Sequence, residues 1–122
     1  MYYLIITLQI LIVLVFLVSG VSKSIFSIEK LVQTGQTAVE DLDPKLVRLV
    51  GILETLGAIG LILPAIIQQY QFLMSISAIC LGLLMVPAAF LHYKREEHKV
   101  IFVNVIIIII CAFIALWYFK NP

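Results

Sequence analysis

Three long stretches of this sequence are almost free of charge, and they limit the folds that are open to it. Residues 1–22, 49–93 and 100–119 contain a single Asp, Glu, Lys or Arg between them, which is Glu54. About 20 apolar residues are enough for a helix to cross the hydrocarbon core of a bilayer, which is about 30 Å thick. The first and last stretches therefore predict one membrane span each. The middle stretch predicts two, separated near Pro64 and the glutamine-rich run after it.

We predict an all-α fold, a transmembrane four-helix bundle that forms one membrane domain over residues 1–122. The spans are expected at about residues 2–21, 45–67, 72–92 and 100–119. Runs such as 105–110 lack the polar and apolar alternation of barrel strands, and in lipid a helix satisfies its own backbone. With 63% hydrophobic and 12% charged residues, the composition excludes an ordinary soluble domain. The first span lacks a basic n-region and a small-residue cleavage site, so we expect it to remain as a helix.

The distribution of basic residues predicts the orientation. Lys and Arg near helix ends mark the cytoplasmic side. Seven of the eight lie in or beside the two loops that join spans 1–2 and 3–4, and only Lys120 lies on the opposite side. The seven are Lys23, Lys30, Lys45, Arg48, Lys94, Arg95 and Lys99. We therefore expect both termini on the non-cytoplasmic side. The membrane itself is expected to be a bacterial inner (cell) membrane.

Residues 23–44 form the only sizeable loop, which we expect to be cytoplasmic. Apolar residues recur in it at near-helical spacing, which predicts an amphipathic stretch on the membrane interface. They are Ile25, Phe26, Ile28, Leu31 and Val32. Asp43 followed by Pro44 is typical of an N-cap and a first helical residue, so the second span is predicted to begin there.

Glu54 is the most informative residue of the sequence. It lies about nine residues, or roughly 13 Å, inside the second span at 1.5 Å per residue. A carboxylate at that depth is expected to face other helices or a water-filled cavity. Gly51, Gly57 and Ala58 share its helix face, and small residues allow helices to pack closely in lipid. The sequence therefore predicts that Glu54 faces protein.

Each of the other spans supplies polar residues at a similar depth, and we predict one binding site around Glu54. The candidates are Ser19, Ser22, Lys23, His92 and Asn104. A simpler explanation is available for most of them. Lys23 and His92 can be solvated helix ends, and Asn104 can join two helices by a hydrogen bond.

The charge of Glu54 depends on its neighbours. Without a nearby cation the buried carboxyl would be neutral, and beside a cation it would stay ionised. Lys23 is the better candidate, because Arg48 lies on another face of the same helix. Both states stay open at this point.

The cysteines and histidines do not predict a metal or haem site. Cys80 and Cys111 form no C-x-x-C pair, and His92 and His98 lack a third ligand at a recognisable spacing. We expect the thiols to be structural, because a free cysteine behaves as a small apolar residue.

In the order of its polar and small-residue segments, the chain resembles the DoxX-like family of small four-helix membrane proteins. The matching segments are 19–23 (SGVSK), 54–61 (ETLGAIGL), Met85 with Ala88-Ala89 and His92, and Asn104. The resemblance implies one of two activities. Some members serve membrane redox systems, including thiosulfate:quinone oxidoreduction and oxidative-stress assemblies, and a distant animal relative acts as an assembly chaperone for receptor channels.

Together with the candidate site around Glu54, the resemblance implies a non-catalytic subunit or partner of a quinone-linked membrane redox system. It would have no intrinsic cofactor and would bind a quinone- or lipid-like molecule near Glu54. The expected partners are membrane lipid and other membrane proteins or a second copy of the chain, and no basic patch indicates nucleic acid. Two alternatives are a proton-coupled small-molecule transporter, which also needs a membrane carboxylate, and an assembly chaperone or scaffold.

Overall fold

The computed structural model describes residues 2–121, except for the side chain of Ala38, and it is built of helices. Four long helices are each apolar enough to cross a membrane: α1 (Tyr2–Ile25), α3 (Pro44–Ile67), α4 (Phe72–Lys94) and α5 (His98–Lys120). Between α1 and α3 lie a short helix, α2 (Ile28–Gln33), and a 3₁₀ turn (Thr37–Asp41). No strand occurs within residues 2–121. The predicted all-α class with four long apolar helices is therefore confirmed.

The ends of the long helices follow local sequence signals. The Asp43 side chain accepts a hydrogen bond of 2.9 Å from the Lys45 amide, and Pro44 occupies the first turn of α3, as predicted. Helix α3 continues through Pro64 and ends where Gln68 adopts a left-handed conformation with φ 56°. Helix α1 extends to Ile25 rather than ending near Val21, because Lys23 stays within the helix and has a buried partner.

The four long helices pack in a defined order. Helix α1 packs along α3, α3 packs against α4, and α4 packs along α5, whereas α1 and α5 touch at fewer positions. The central contacts are apolar and fully or almost fully buried, and they include Phe16, Ala58, Leu61, Leu81 and Ile114. We call the end of the bundle that carries residues 26–43 and 95–97 the loop end.

Helices α1 and α3 approach each other closely where two glycines meet. A Cβ atom at Gly20 would lie 2.8 Å from the carbonyl oxygen of Gly51, and a Cβ at Gly51 would lie 2.8 Å from the carbonyl oxygen of Gly20. Real Cβ atoms do not come so close, so any larger side chain would push the helices apart. Gly51, one of the small residues predicted to allow close packing near Glu54, therefore does so here.

The outer surface of the bundle is apolar. Large side chains remain exposed on every long helix, among them Leu14 at 56%, Ile66 at 70%, Leu83 at 63% and Phe102 at 68%. Monomeric soluble proteins rarely expose contiguous apolar surface on this scale, whereas acyl chains match it. Together with the four long apolar helices, this surface indicates an integral membrane protein.

The segment between α1 and α3 folds back onto the bundle. The predicted amphipathic stretch forms α2, whose Ser27 side chain caps the helix by accepting from the Lys30 amide. Leu31 is fully buried and packs with Val39 and Val47 in a second small core. The innermost side chain of the stretch therefore contacts protein, because the 3₁₀ turn brings the chain back across the start of α3.

Candidate functional site

Lys23 reaches Glu54 because α1 and α3 run antiparallel past the glycine contact. Lys23 lies one turn closer to the loop end than Gly20. Cα–Cβ bonds tilt toward the N-terminus of their own helix. The Lys23 side chain therefore leans away from the loop end, and the Glu54 side chain leans toward it. The two meet with 2.6 Å between Lys23 Nζ and Glu54 Oε1.

The ion pair is buried, and it leaves one oxygen of the carboxylate unused. The Glu54 side chain is completely buried and that of Lys23 is 14% exposed. Glu54 Oε2 has no hydrogen-bond partner within residues 2–121. Arg48 does not approach the carboxylate. Instead its Nη1 donates to the carbonyl oxygen of Lys23 at 2.6 Å, which satisfies a carbonyl in the last turn of α1.

A cavity of about 340 Å³ lies beside the ion pair at the loop end. Glu54 and Lys23 form part of its wall together with His92, and most of the remaining wall is apolar. The apolar part comes from the segment before α3, from α3 itself, from α4 and from α5, and it includes Val39, Leu42, Leu46, Val50, Leu84, Pro87, Ala88, Leu91 and Val100. Leu46 and Val100 line the cavity and are also 44% and 37% exposed, so the cavity is open to the outside of the bundle.

Residues 34–43, which we call the strap, cover the cavity from the loop end. Gly35, Gln36, Val39 and Leu42 of the strap line it. Side chains of the turn between α4 and α5 hold the strap in place. Glu97 Oε2 accepts a 2.5 Å hydrogen bond from the Thr37 hydroxyl.

Arg95 makes the second set of strap contacts. Its guanidinium donates to Asp41 at 2.9 Å and to Glu40 at 3.1 Å. The hydrogen bond to Asp41 is the main cause that raises the pKa of Arg95. The turn between α4 and α5 therefore contacts the strap at two separate points, Thr37 and the Glu40–Asp41 pair.

His92 joins the cavity to this loop network. Its ring lines the cavity, and its Nδ1 lies 2.8 Å from Glu97 Oε1. The hydrogen bonds from Thr37 and then from His92 lower the pKa of the Glu97 carboxyl. The structure therefore gives His92 a partner, Glu97, that the sequence reasoning did not consider.

The structure brings together three of the six predicted site residues. Lys23, Glu54 and His92 line one cavity, whereas Asn104, Ser19 and Ser22 do not. Asn104 is buried, and its Nδ2 has no partner within residues 2–121. Ser19 and Ser22 are half-buried on α1. These three residues were predicted from their depth in the membrane, but they lie on helix faces that do not border the cavity.

A second polar cluster lies in the half of the bundle farther from the loop end. Gln9 is buried, and its Nε2 donates to the Leu61 carbonyl at 2.5 Å and contacts the Met74 sulfur at 3.3 Å. The Tyr118 hydroxyl donates to Gln9 Oε1. The sequence reasoning missed this cluster, although a glutamine within an uncharged span was a usable signal.

The thiols lie apart from the cavity lining. Cys80 is exposed and Cys111 is buried against the position of Gly82, and both are free. Within residues 2–121, no group of three or more His, Cys, Asp or Glu side chains is arranged to hold a metal ion.

Comparison with known proteins gives one positive result. A family model described as the DoxX-like family matches residues 7–114, which is most of the chain. No curated protein and no solved structure gives a significant match. The matched range includes every segment on which the resemblance was based, from Ser19 to Asn104. The chain belongs to the DoxX-like family.

Proposed function

We propose that this protein is a non-catalytic membrane subunit that holds a lipid- or quinone-like molecule in the cavity beside Glu54. The observation that carries the proposal is a cavity whose lining is mostly apolar and includes a few polar side chains. Lys23, Glu54 and His92 are polar lining residues, and Leu84, Ala88 and Leu91 are among the apolar ones. Ligand sites commonly combine apolar lining with a few polar groups that orient the ligand, in volumes of roughly 300–1,000 Å³.

The size and opening of the cavity support an amphiphile rather than a small polar solute. About 340 Å³ accommodates a ring or a short chain but not a whole phospholipid. Because Leu46 and Val100 are exposed at its edge, an apolar tail can continue outward onto the lipid-facing surface. A polar solute would gain little from walls that are mainly Leu, Val and Pro side chains.

The partner in this proposal is a quinone-linked redox system of the bacterial inner membrane. The support is the family, some of whose members serve such systems, and the charge distribution, which fits a membrane with a cytoplasmic side. In this role the chain would hold or deliver the amphiphile, and the partner would carry out electron transfer.

The test is native mass spectrometry of the mildly purified protein, with one variant that fills the cavity and one that does not. Ala88 lines the cavity, whereas Ala112 is exposed on α5. We expect the wild type and A112F to retain a quinone- or lipid-like molecule and A88F to lose it. Retention by A88F, or an empty wild-type protein, would contradict the proposal.

Glu54→Gln tests the role of the carboxylate in the same assay and in membranes that contain the redox partner. Unchanged ligand retention, partner capture and quinone reduction in E54Q would show that the site is wrongly assigned. Proton-driven uptake or efflux in proteoliposomes would favour a transporter instead. A lower folding stability of E54Q with unchanged ligand retention would favour a scaffold or chaperone.

A further inference from the structure

The unused oxygen of Glu54 limits the chemistry of what can bind beside it. Oε2 is fully buried in a residue that lines the cavity, and nothing within residues 2–121 donates to it. An ionised carboxylate oxygen only accepts hydrogen bonds. Leaving a buried acceptor without a donor is costly, and native proteins rarely do so without a water or a ligand. The site therefore calls for a hydrogen-bond donor.

The charge of the ion pair selects among possible donors. Glu54 and Lys23 carry opposite charges 2.6 Å apart, so the pair as a whole has no net charge to attract an ion. An anionic headgroup would lie against the unused carboxylate oxygen, and a cationic headgroup would lie beside the Lys23 ammonium. Like charges at such distances repel strongly in a medium of low dielectric constant. A neutral headgroup avoids both conflicts.

A hydroxyl group matches both members of the pair. It has one O–H donor for Glu54 Oε2 and lone pairs that can accept from an ammonium. Lys23 carries three donors, and within residues 2–121 its side chain makes one hydrogen bond, to Glu54. An ether or a quinone carbonyl has no donor and would leave Oε2 unsatisfied.

We infer that the cavity selects amphiphiles whose polar end carries a neutral hydroxyl, such as a phenol, a quinol or a fatty alcohol. The same molecule without the O–H, as in the ether or the quinone, binds less well. This inference rests on the proposed function, since it requires that the cavity binds an amphiphile at all. It adds that the reduced form of a quinone is the preferred one.

The test compares probes that differ only in the hydroxyl. Binding of para-heptylphenol and para-heptylanisole to the protein in nanodiscs is measured by equilibrium dialysis, with empty nanodiscs subtracted. We expect the phenol to bind about tenfold more tightly to the wild type, as one hydrogen bond to a charged group implies. An aliphatic pair, dodecanol and its methyl ether, shows whether the preference is general. A preference in the aromatic pair alone assigns the class to phenols and quinols, and a preference in both pairs assigns it to hydroxyl headgroups.

Two variants connect the preference to Glu54. K23M/E54L replaces the ion pair by apolar side chains and should bind phenol and anisole equally. E54Q offers both a donor and an acceptor, so it should bind both probes with a reduced difference. If K23M/E54L does not fold, E54Q alone provides the test. A tenfold preference that persists in either variant would overturn the inference.

The two proposals fail in different ways. If neither member of either pair binds the wild type above empty nanodiscs, the cavity is not an amphiphile site and the proposed function is wrong. If each hydroxyl probe binds the wild type no more tightly than its ether, the cavity is a site but the hydroxyl selection is wrong. A bound water that satisfies Glu54 Oε2 would produce this second result.

Discussion

Glu54 and Lys23 form the ion pair that joins two of the long helices within residues 2–121, and the two partners differ in exposure. Glu54 is completely buried, whereas Lys23 retains 14% exposure. A long lysine side chain can turn toward water or the interface when its partner is removed, but a buried carboxylate cannot. The loss of Lys23 should therefore harm the protein more than the neutralisation of Glu54.

We expect K23M to lower the free energy of unfolding by about 3 kcal/mol, the lower end of what breaking a buried pair costs. E54Q should cost less, and K23M/E54L should restore most of the stability, because apolar pairs often replace buried ion pairs without loss. The measurement is reversible unfolding by an SDS titration in mixed micelles. A K23M variant as stable as the wild type, or a double variant as unstable as K23M, would contradict this account.

The sequence predicted part of the site and not the rest, for a physical reason. The depth of a residue in the membrane follows from counting residues along its span. Glu54 and Lys23 could therefore be predicted to lie at similar depths. The direction in which a side chain points around its helix depends on packing, and Asn104 is buried away from the cavity for this reason. The hydrogen bond between Gln9 and the Leu61 carbonyl could not be predicted either, since it depends on how α1 lies across α3.

At the scale of the elements, the α1–α3 glycine contact sets the distance between Lys23 and Glu54. Gly20→Ala would place a Cβ 2.5 Å from the Thr55 hydroxyl oxygen and 2.8 Å from the Gly51 carbonyl oxygen. The helices would have to separate, so we expect a loss of roughly 1–3 kcal/mol of stability, typical of overpacking.

The matched control for this prediction is Gly82→Ala in α4. Its Cβ would lie 3.3 Å from the Cys111 Cβ, a contact that a small shift can relieve. We expect its stability to stay within about 1 kcal/mol of the wild type, because better helix propensity offsets the tighter contact. Thermal unfolding in detergent compares the two variants directly. Equal losses in G20A and G82A would mean that the α1–α3 contact has no special role.

The strap is the element that sequence reasoning described least well. Periodicity over residues 25–32 predicted an amphipathic stretch, but α2 has only six residues. The turn that follows it is held by contacts with Arg95 and Glu97, which lie far along the chain. Such contacts leave no local pattern in the sequence. In the structure these contacts hold the strap over the cavity, and they involve the charged side chains of Arg95 and Glu97.

Acid should loosen the strap. Hydrogen bonds from Thr37 and His92 hold the pKa of Glu97 below its ordinary value of 4.5, so the folded protein binds this proton less readily than the unfolded chain. Stability from such a carboxylate is present above the ordinary pKa and is lost as the pH falls through the lowered value. Arg95, with its raised pKa, stays charged throughout and faces Glu40 and Asp41.

Hydrogen exchange of residues 34–43 measures this effect. We expect protection factors in the strap to fall when the pH drops from neutral to below 4.5, and those in the centre of α3 to stay constant. Glu97→Gln should lower strap protection already at neutral pH. A strap that stays protected in acid, or that exchanges in E97Q as slowly as in the wild type, would show that these contacts do not hold it.

At the scale of the whole molecule, the prediction still open is the orientation in the membrane. Seven of eight basic residues lie at the loop end, with Lys120 alone at the other, and this bias predicts a cytoplasmic loop end. Alkaline phosphatase fused after Lys120 should therefore be active and green fluorescent protein at that position dark. The reverse should hold for fusions truncated after Glu96.

The cause of the orientation is tested by removing exposed charges that the cavity does not use. Lys30, Lys45, Lys94 and Lys99 are exposed and make no ion pair within residues 2–121, so their change to Gln should leave the fold intact. The loop end would then keep three basic residues, Lys23, Arg48 and Arg95, compared with Lys120 at the other end. We expect this smaller difference to give a mixture of both orientations. Lys120→Gln, as the control, should strengthen the original one. A quadruple variant that inserts as uniformly as the wild type would mean that another feature, such as strap folding before insertion, sets the topology.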